Sequence, residues 1–157
     1  MEQEFSKAMD IHHLMGEQNI FRYLPLTNMV LRVQNTDSLC DVFMILAAAG
    51  IAKAHIKLSI GNNDSKLEVL KKSIENQCTL MIQTEDEFLN ELNKYERIRT
   101  CTNQLSDEFY QKAAKSGKYI ASSTPLPEGR IELLNYIKEQ SIAYEYHRYG
   151  SITETIE

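Results

Sequence analysis

The sequence predicts an α/β sandwich, a mostly parallel sheet of about five strands layered between helices, with an extended arm at each end. Three observations carry this. Short strand-like runs recur as MVLRV, AHIKLSI, TLMIQ, ERIRT and KYIAS. Between them lie segments of about ten residues with helical apolar spacing, and such alternation implies βαβ crossovers and a parallel sheet. The chain has 157 residues, 43% hydrophobic and 25% charged, which suits one compact domain with a sizeable core.

Residues 1–27 show no sustained period and read as an arm or linker. Within them NIFRYLPL (Asn19–Leu26) is extended, because Pro25 keeps Leu24 out of helical geometry. MVLRV (Met29–Val33) is the first strand. Thr36 or Asp37 can cap a helix whose stripe is Leu39, Val42, Phe43 and Leu46, with Gly50 as its C-terminal stop. AHIKLSI (Ala54–Ile60) alternates around Ile56, Leu58 and Ile60. The turn GNNDS leads to a helix with Leu67, Leu70 and Ile74 on one face.

TLMIQ (Thr79–Gln83) reads as a buried strand. Thr84 and Glu87 have capping-box spacing for a helix carrying Phe88, Leu89 and Leu92. ERIRT (Glu96–Thr100) is the fourth strand, followed by a helix closed by Gly117. KYIAS (Lys118–Ser122) is the fifth, and Pro125 and Pro127 break the loop after it. A last helix should carry Ile131, Leu134 and Ile137 before an extended Ser141–Tyr149. The predicted organisation is an arm at 1–27, a Rossmann-like body at 28–128, and a terminal helix with an extended tail at 129–157.

The body offers little chemistry. Dinucleotide binding in such a fold uses a glycine-rich turn after the first strand, and Gln34–Ser38 contains no glycine; Gly61 in GNNDS stands alone. Cys40, Cys78 and Cys101 are odd in number and form no CxxC pair, so they read as reduced, buried and inert thiols of a cytoplasmic protein. His12, His13, His55 and His147 have no metal-ligand spacing, with His55 expected at the solvent end of its strand. Glu85, Asp86 and Glu87 suit the first turn of a helix. A net charge of −5 argues against nucleic acid. No apolar run approaches the ~20 residues of a membrane span, and the acidic opening is not that of a signal peptide. We expect Met1 to begin a fragment of a longer protein.

The tail is different. An extended SIAYEYHRYG sets Ile142, Tyr144, Tyr146 and Arg148 on one face and Ala143, Glu145, His147 and Tyr149 on the other. Either the rings pack on the domain's own helices, or the strand protrudes to pair with another polypeptide surface, where Tyr and Arg are favoured.

NIFRYLPL, ERIR and above all GRIELLNYIKEQSIAYEYHRYG resemble the C-terminal domain of long pyrroline-5-carboxylate dehydrogenases and of bifunctional proline-utilisation-A flavoenzymes. The resemblance runs from about Asn19 onward and is specific in the tail block. Ala143 departs from it, standing where the family tends to place a serine. The resemblance implies a non-catalytic α/β domain that follows an aldehyde dehydrogenase catalytic module. It would pack on that module, cover its active site or contribute to assembly. The parent would oxidise L-glutamate γ-semialdehyde with NAD in proline catabolism. That chemistry needs a nucleophilic cysteine in a glycine-rich loop, and none of the three cysteines has that setting.

By this reading the fragment itself supplies no catalytic, cofactor or metal residue. Its contact segment is Glu139, Gln140, Ser141, Ile142, Tyr144, Tyr146, His147, Arg148, Tyr149 and Gly150. NAD belongs to the parent enzyme, and the partner is the parent's own catalytic module, with homo-oligomerisation open. The alternative is an independent small-ligand or nucleotide-binding domain using the carboxyl ends of its strands.

Overall fold

The computed structural model describes residues 5–74 and 78–145, and the backbone of 147–148 and 151–152. Two compact units emerge, Met1–Leu24 with Ile137–Glu157, and Pro25–Tyr136. The first unit opens with β1 (Met9–Asp10) and β2 (Glu17–Pro25), an antiparallel pair in which Met9 faces Phe21 and Asp10 faces Ile20. The Asp10 carboxylate ties the connecting turn, accepting from the backbone N–H of His12, His13 and Asn19 at 3.0–3.2 Å. Those bonds hold the Asp10 carboxyl below its usual pKa. Tyr23 meets Phe5 and Phe21 edge-on, each at 5.1 Å. The predicted extended stretch from Asn19 falls in β2 as far as Pro25.

The second unit is the predicted sandwich. Its elements are β3 (Met29–Arg32), α1 (Leu39–Ala52), β4 (Ile56–Ile60), α2 (Leu67–Ile74), β5 (Thr79–Ile82) and α3 (Glu85–Asn90). They continue with β6 (Arg97–Thr100), α4 (Asp107–Lys115), β7 (Tyr119–Ser122) and α5 (Gly129–Leu133). The five strands are all parallel, in the order β5-β4-β3-β6-β7, with Leu31 in register with Leu58 and Arg99. The chain builds outward from β3 through β4 to β5, then restarts at β6. Right-handed crossovers put α1 and α2 on one face and α3 and α4 on the other, and α1 packs beside α5 while α3 packs beside α4. Val30 and Ile98 lie in one core with Phe88, Leu92, Tyr95 and Phe109. Alternation turns Met29 and Leu31 to the opposite face.

Several local expectations are corrected. The α1 cap is Ser38, whose Oγ accepts from Asp41 N at 3.2 Å; Asp37 is unavailable because its carboxylate folds back to accept from Gln34 N at 2.8 Å. Gly50 is not the stop. The helix runs to Ala52 and ends on Lys53 in the left-handed region (φ 58°), with Ala54 N reaching back to Ala49 O. The buried stripe is Val42, Ile45, Ala49 and Ala52, while Leu39, Phe43 and Leu46 are half-buried. TLMIQ is not a buried strand: β5 lies at a sheet edge and Ile82 is exposed. The Thr84–Glu87 capping box forms in both directions.

The last helix is shorter than its spacing suggests. It tightens to a 3₁₀ turn at Leu134–Tyr136, and Ile137 already belongs to β8 (Ile137–Glu145). Arg97 of β6 donates to Leu134 O (3.1 Å) and Asn135 O (2.9 Å), capturing terminal carbonyls that another turn of helix would have used. Tyr136 is buried and donates its hydroxyl to Glu132 at 2.6 Å, which fixes the exit. β8 joins β2 and β1 in a three-stranded sheet ordered β1-β2-β8. Beyond it β9 (His147–Arg148) pairs antiparallel with β10 (Ser151–Ile152).

Candidate functional site

β8 carries the front half of the contact segment. Its nine residues alternate: Glu139, Ser141, Ala143 and Glu145 are exposed, while Gln140 and Ile142 are half-buried. Arg22 of β2 anchors it, donating from Nε to Gln140 Oε1 at 2.6 Å. Burial fades along the strand, from a buried Ile137 to Tyr144, which is 49% exposed. About half of Tyr144 is thus left open to solvent. For His147 and Arg148 the structure gives the paired backbone of β9; Tyr146, Tyr149 and Gly150 lie outside the described residues. β8 is an edge strand, with β2 on one side and no strand on the other among the described residues.

The carboxyl edge of the parallel sheet is the other place to look, because α/β sheets bind ligands there. Arg32, at the end of β3, is buried with its guanidinium 5.2 Å from the Phe88 ring centre. Its Nη1 donates to Ser59 Oγ (2.9 Å) and Gln83 O (3.1 Å). Ser59 Oγ donates on to Gln83 Oε1 (2.9 Å), and Gln83 Nε2 donates to Glu91 Oε2 (2.9 Å). The buried cation thus reaches a carboxylate through two neutral side chains. Burial lowers the Arg32 pKa, and the fields of Glu85 and Asp64 partly offset this.

Arg99 sits in the interior too, with a carboxylate directly against it. Nη2 donates to Glu132 Oε1 at 3.0 Å, and Nη1 reaches Ala121 O (2.9 Å), Ser123 O (2.6 Å) and Thr100 O. Glu132 Oε2 accepts from Leu126 N at 3.0 Å, so this cluster ties β6, the proline loop and α5 together. Sequence reasoning passed over Arg32, Arg99 and Glu132. The available signal was an arginine within each of two strand-like runs, MVLRV and ERIRT. A charge there must be buried and partnered.

At the switch point between β3 and β6, Cys101 is buried against Asp37. Burial first, and then the Asp37 charge, push its thiol up to about 12, so it is not a nucleophile at neutral pH. Burial likewise raises the Asp37 carboxyl, partly offset by the bond from Gln34 N. Burial raises the thiol of Cys78, which is half-buried. Cys40 is exposed rather than buried, because it faces away from the sheet in the first turn of α1. His55 is exposed just ahead of β4.

The turn after β3 lacks the glycines of a dinucleotide-binding turn, and its Gln34 amide already donates to the Asp37 carboxylate at 2.8 Å. The opposite, amino edge opens a cavity of about 670 Å³ lined by Asn28, Gly50, His55, Lys57, Cys78 and Thr79 among others. Among the described residues no group of His, Cys, Asp or Glu is arranged to hold a metal, and no helix is long and apolar enough to cross a membrane.

No protein-family model matches the chain, and no curated protein matches it in sequence. Solved structures do match in fold. Proline Utilization A (PutA) from Corynebacterium freiburgense aligns over 96% of this chain at 22% identity and a TM-score of 0.52. Histidinol dehydrogenase from Elizabethkingia anophelis aligns over 74% at 15% identity and a TM-score of 0.57. The chain spans 13% of the first protein and 30% of the second. At such identities the likeness is one of fold: an α/β unit that also occurs as a part of each of those longer chains.

Proposed function

We propose that the chain is a non-catalytic domain of an NAD-dependent pyrroline-5-carboxylate dehydrogenase of proline catabolism, and that its terminal sheet docks on the aldehyde dehydrogenase catalytic module of the same parent. The observation that carries this reading is β8, a nine-residue edge strand with Tyr144 exposed at its far end. Among the described residues no further strand lies beyond β8, and a sheet edge is a place where another polypeptide can add a strand and seat alternate side chains in pockets. The tail resemblance and the fold likeness to a small part of Proline Utilization A lend support. So does the chemistry of Cys101 and Cys78, whose thiols are held protonated.

The contact segment is Glu139–Gly150, with Glu139, Ser141 and Tyr144 as its outward groups in β8. Deleting residues 139–157 from the full-length enzyme tests it. The expected outcome is a lower kcat/KM for the semialdehyde, or a changed particle mass in light scattering. Unchanged kinetics together with unchanged mass overturn the reading. The rival, an independent small-ligand or nucleotide-binding domain, has the amino-edge cavity in its favour. A thermal shift of the 157-residue chain by NAD, ATP or a flavin would select it, because a ligand bound to the native state alone raises apparent stability.

A further inference from the structure

α1 is a surface helix without a polar face. Asp41 is its one charged residue among fourteen, and it packs on the sheet through Val42, Ile45, Ala49 and Ala52. The opposite side carries Cys40, Met44, Ala47 and Ile51, all exposed, with Met44 at 43% and Ile51 at 59%. A helix against a core normally turns charged and polar residues to water, and one that is apolar all round is normally covered. The patch continues sideways. Pro125, Leu126 and Pro127 wall an apolar groove of about 280 Å³ beside Met44 and Ile51. A contiguous patch of this kind on a soluble surface marks an interaction site.

We propose that this face is a two-fold interface between copies of the chain, formed by antiparallel packing of α1 on α1. Two features select a second copy over an unrelated partner. The first is steric. Cys40, Met44, Ala47 and Ile51 follow the i, i+4, i+7, i+11 spacing of a helix–helix seam and read small, large, small, large. Reversed, the same seam reads large, small, large, small, so each bulky residue meets a small one: Ile51 over Cys40 and Met44 over Ala47. The second is electrostatic. In that register the start of each helix lies beside the end of the other, so the two helix dipoles run antiparallel, and a two-fold axis makes the arrangement self-consistent. This surface lies in the α/β unit, separate from β8, so its test does not depend on the function proposed above.

Sedimentation velocity of the 157-residue chain at micromolar concentrations should give a dimer, and Met44→Glu should give a monomer with unchanged circular dichroism. The register has its own readout. Ile51→Cys should form a disulfide-linked dimer with the native Cys40 of the second copy under mild oxidation by a copper–phenanthroline complex. It cannot close internally, since eleven residues of helix separate the two sulfurs by about 16 Å. The double variant Cys40→Ser/Ile51→Cys should lose the cross-link. A monomeric wild-type chain, a dimer that survives Met44→Glu, or cross-linking that persists without Cys40 overturns the proposal.

Discussion

At the centre of the five-stranded sheet, β3 buries all four of its residues; at the centre of the three-stranded sheet, β2 buries none of its nine. Both strands have a neighbour on each side, although β1 pairs with only two residues of β2 while β3 is paired along its whole length. The difference lies in what covers their faces. β3 has helices above and below, as a parallel sheet requires, whereas every residue of β2 remains half-exposed. The first sheet is a finished core. The second is covered only in part, with no fully buried residue in its central strand.

The comparison breaks most visibly if the body's stability does not depend on its own interior. Glu132 is the sharpest point of attack. It accepts from Arg99, Tyr136 and Leu126 N, and Arg99 has no exposure through which water could replace it. Glu132→Ala leaves a buried cation unpaired and should lower unfolding free energy by about 3–5 kcal/mol in a urea titration. Glu132→Gln keeps an acceptor and should cost less. A loss below about 1 kcal/mol for the alanine variant would mean the cluster is hydrated, and the contrast between the sheets would weaken.

A smaller effect comes from pH. Burial holds the Cys101 thiol up to about 12 in the fold, well above the ordinary thiol value of about 9. A group raised in the folded state contributes stability that is intact below the unfolded pKa and lost as pH climbs through the folded one. The body should therefore lose stability between pH 9 and 12. The raised Tyr136 hydroxyl pushes in the same direction. Cys101→Ala should flatten that decline, measured as the urea midpoint against pH, although it also removes packing at neutral pH. An identical slope in wild type and variant would show that the thiol titrates freely in the fold.

What the sequence discloses follows from the range of the interactions. The Thr84–Glu87 box and the Leu67, Leu70, Ile74 stripe are written within one or two helical turns, and both form as read. Ser38 displaced Thr36 and Asp37 as a cap because Asp37 found a competing local bond, which composition alone does not rank. Strand order is not local at all. TLMIQ and MVLRV both read as strands, yet one lies at the edge and the other at the centre, because the chain builds outward from β3 to β5 and then restarts on the other side of β3. The Arg99–Glu132 pair spans 33 residues, and Arg97 shortens the last helix from another strand. At the candidate site, the extended run through Ser141–Glu145 was legible and Arg22–Gln140, 118 residues apart, was not.

The smallest expected effect tests the weaker sheet directly. Tyr144 is half out in solvent at the end of β8, so Tyr144→Ser in the 157-residue chain removes little that folding had buried. Its unfolding free energy should change by no more than about 0.5 kcal/mol. If the docking proposed above holds, the same substitution in the parent enzyme should instead disturb activity or assembly, because the ring would there be covered. The size of the response in the isolated chain is decisive. A loss of about 2 kcal/mol or more would mean that the ring is already packed and that the three-stranded sheet completes its own core. The two sheets would then differ only in degree, and β8 would need no partner to explain it.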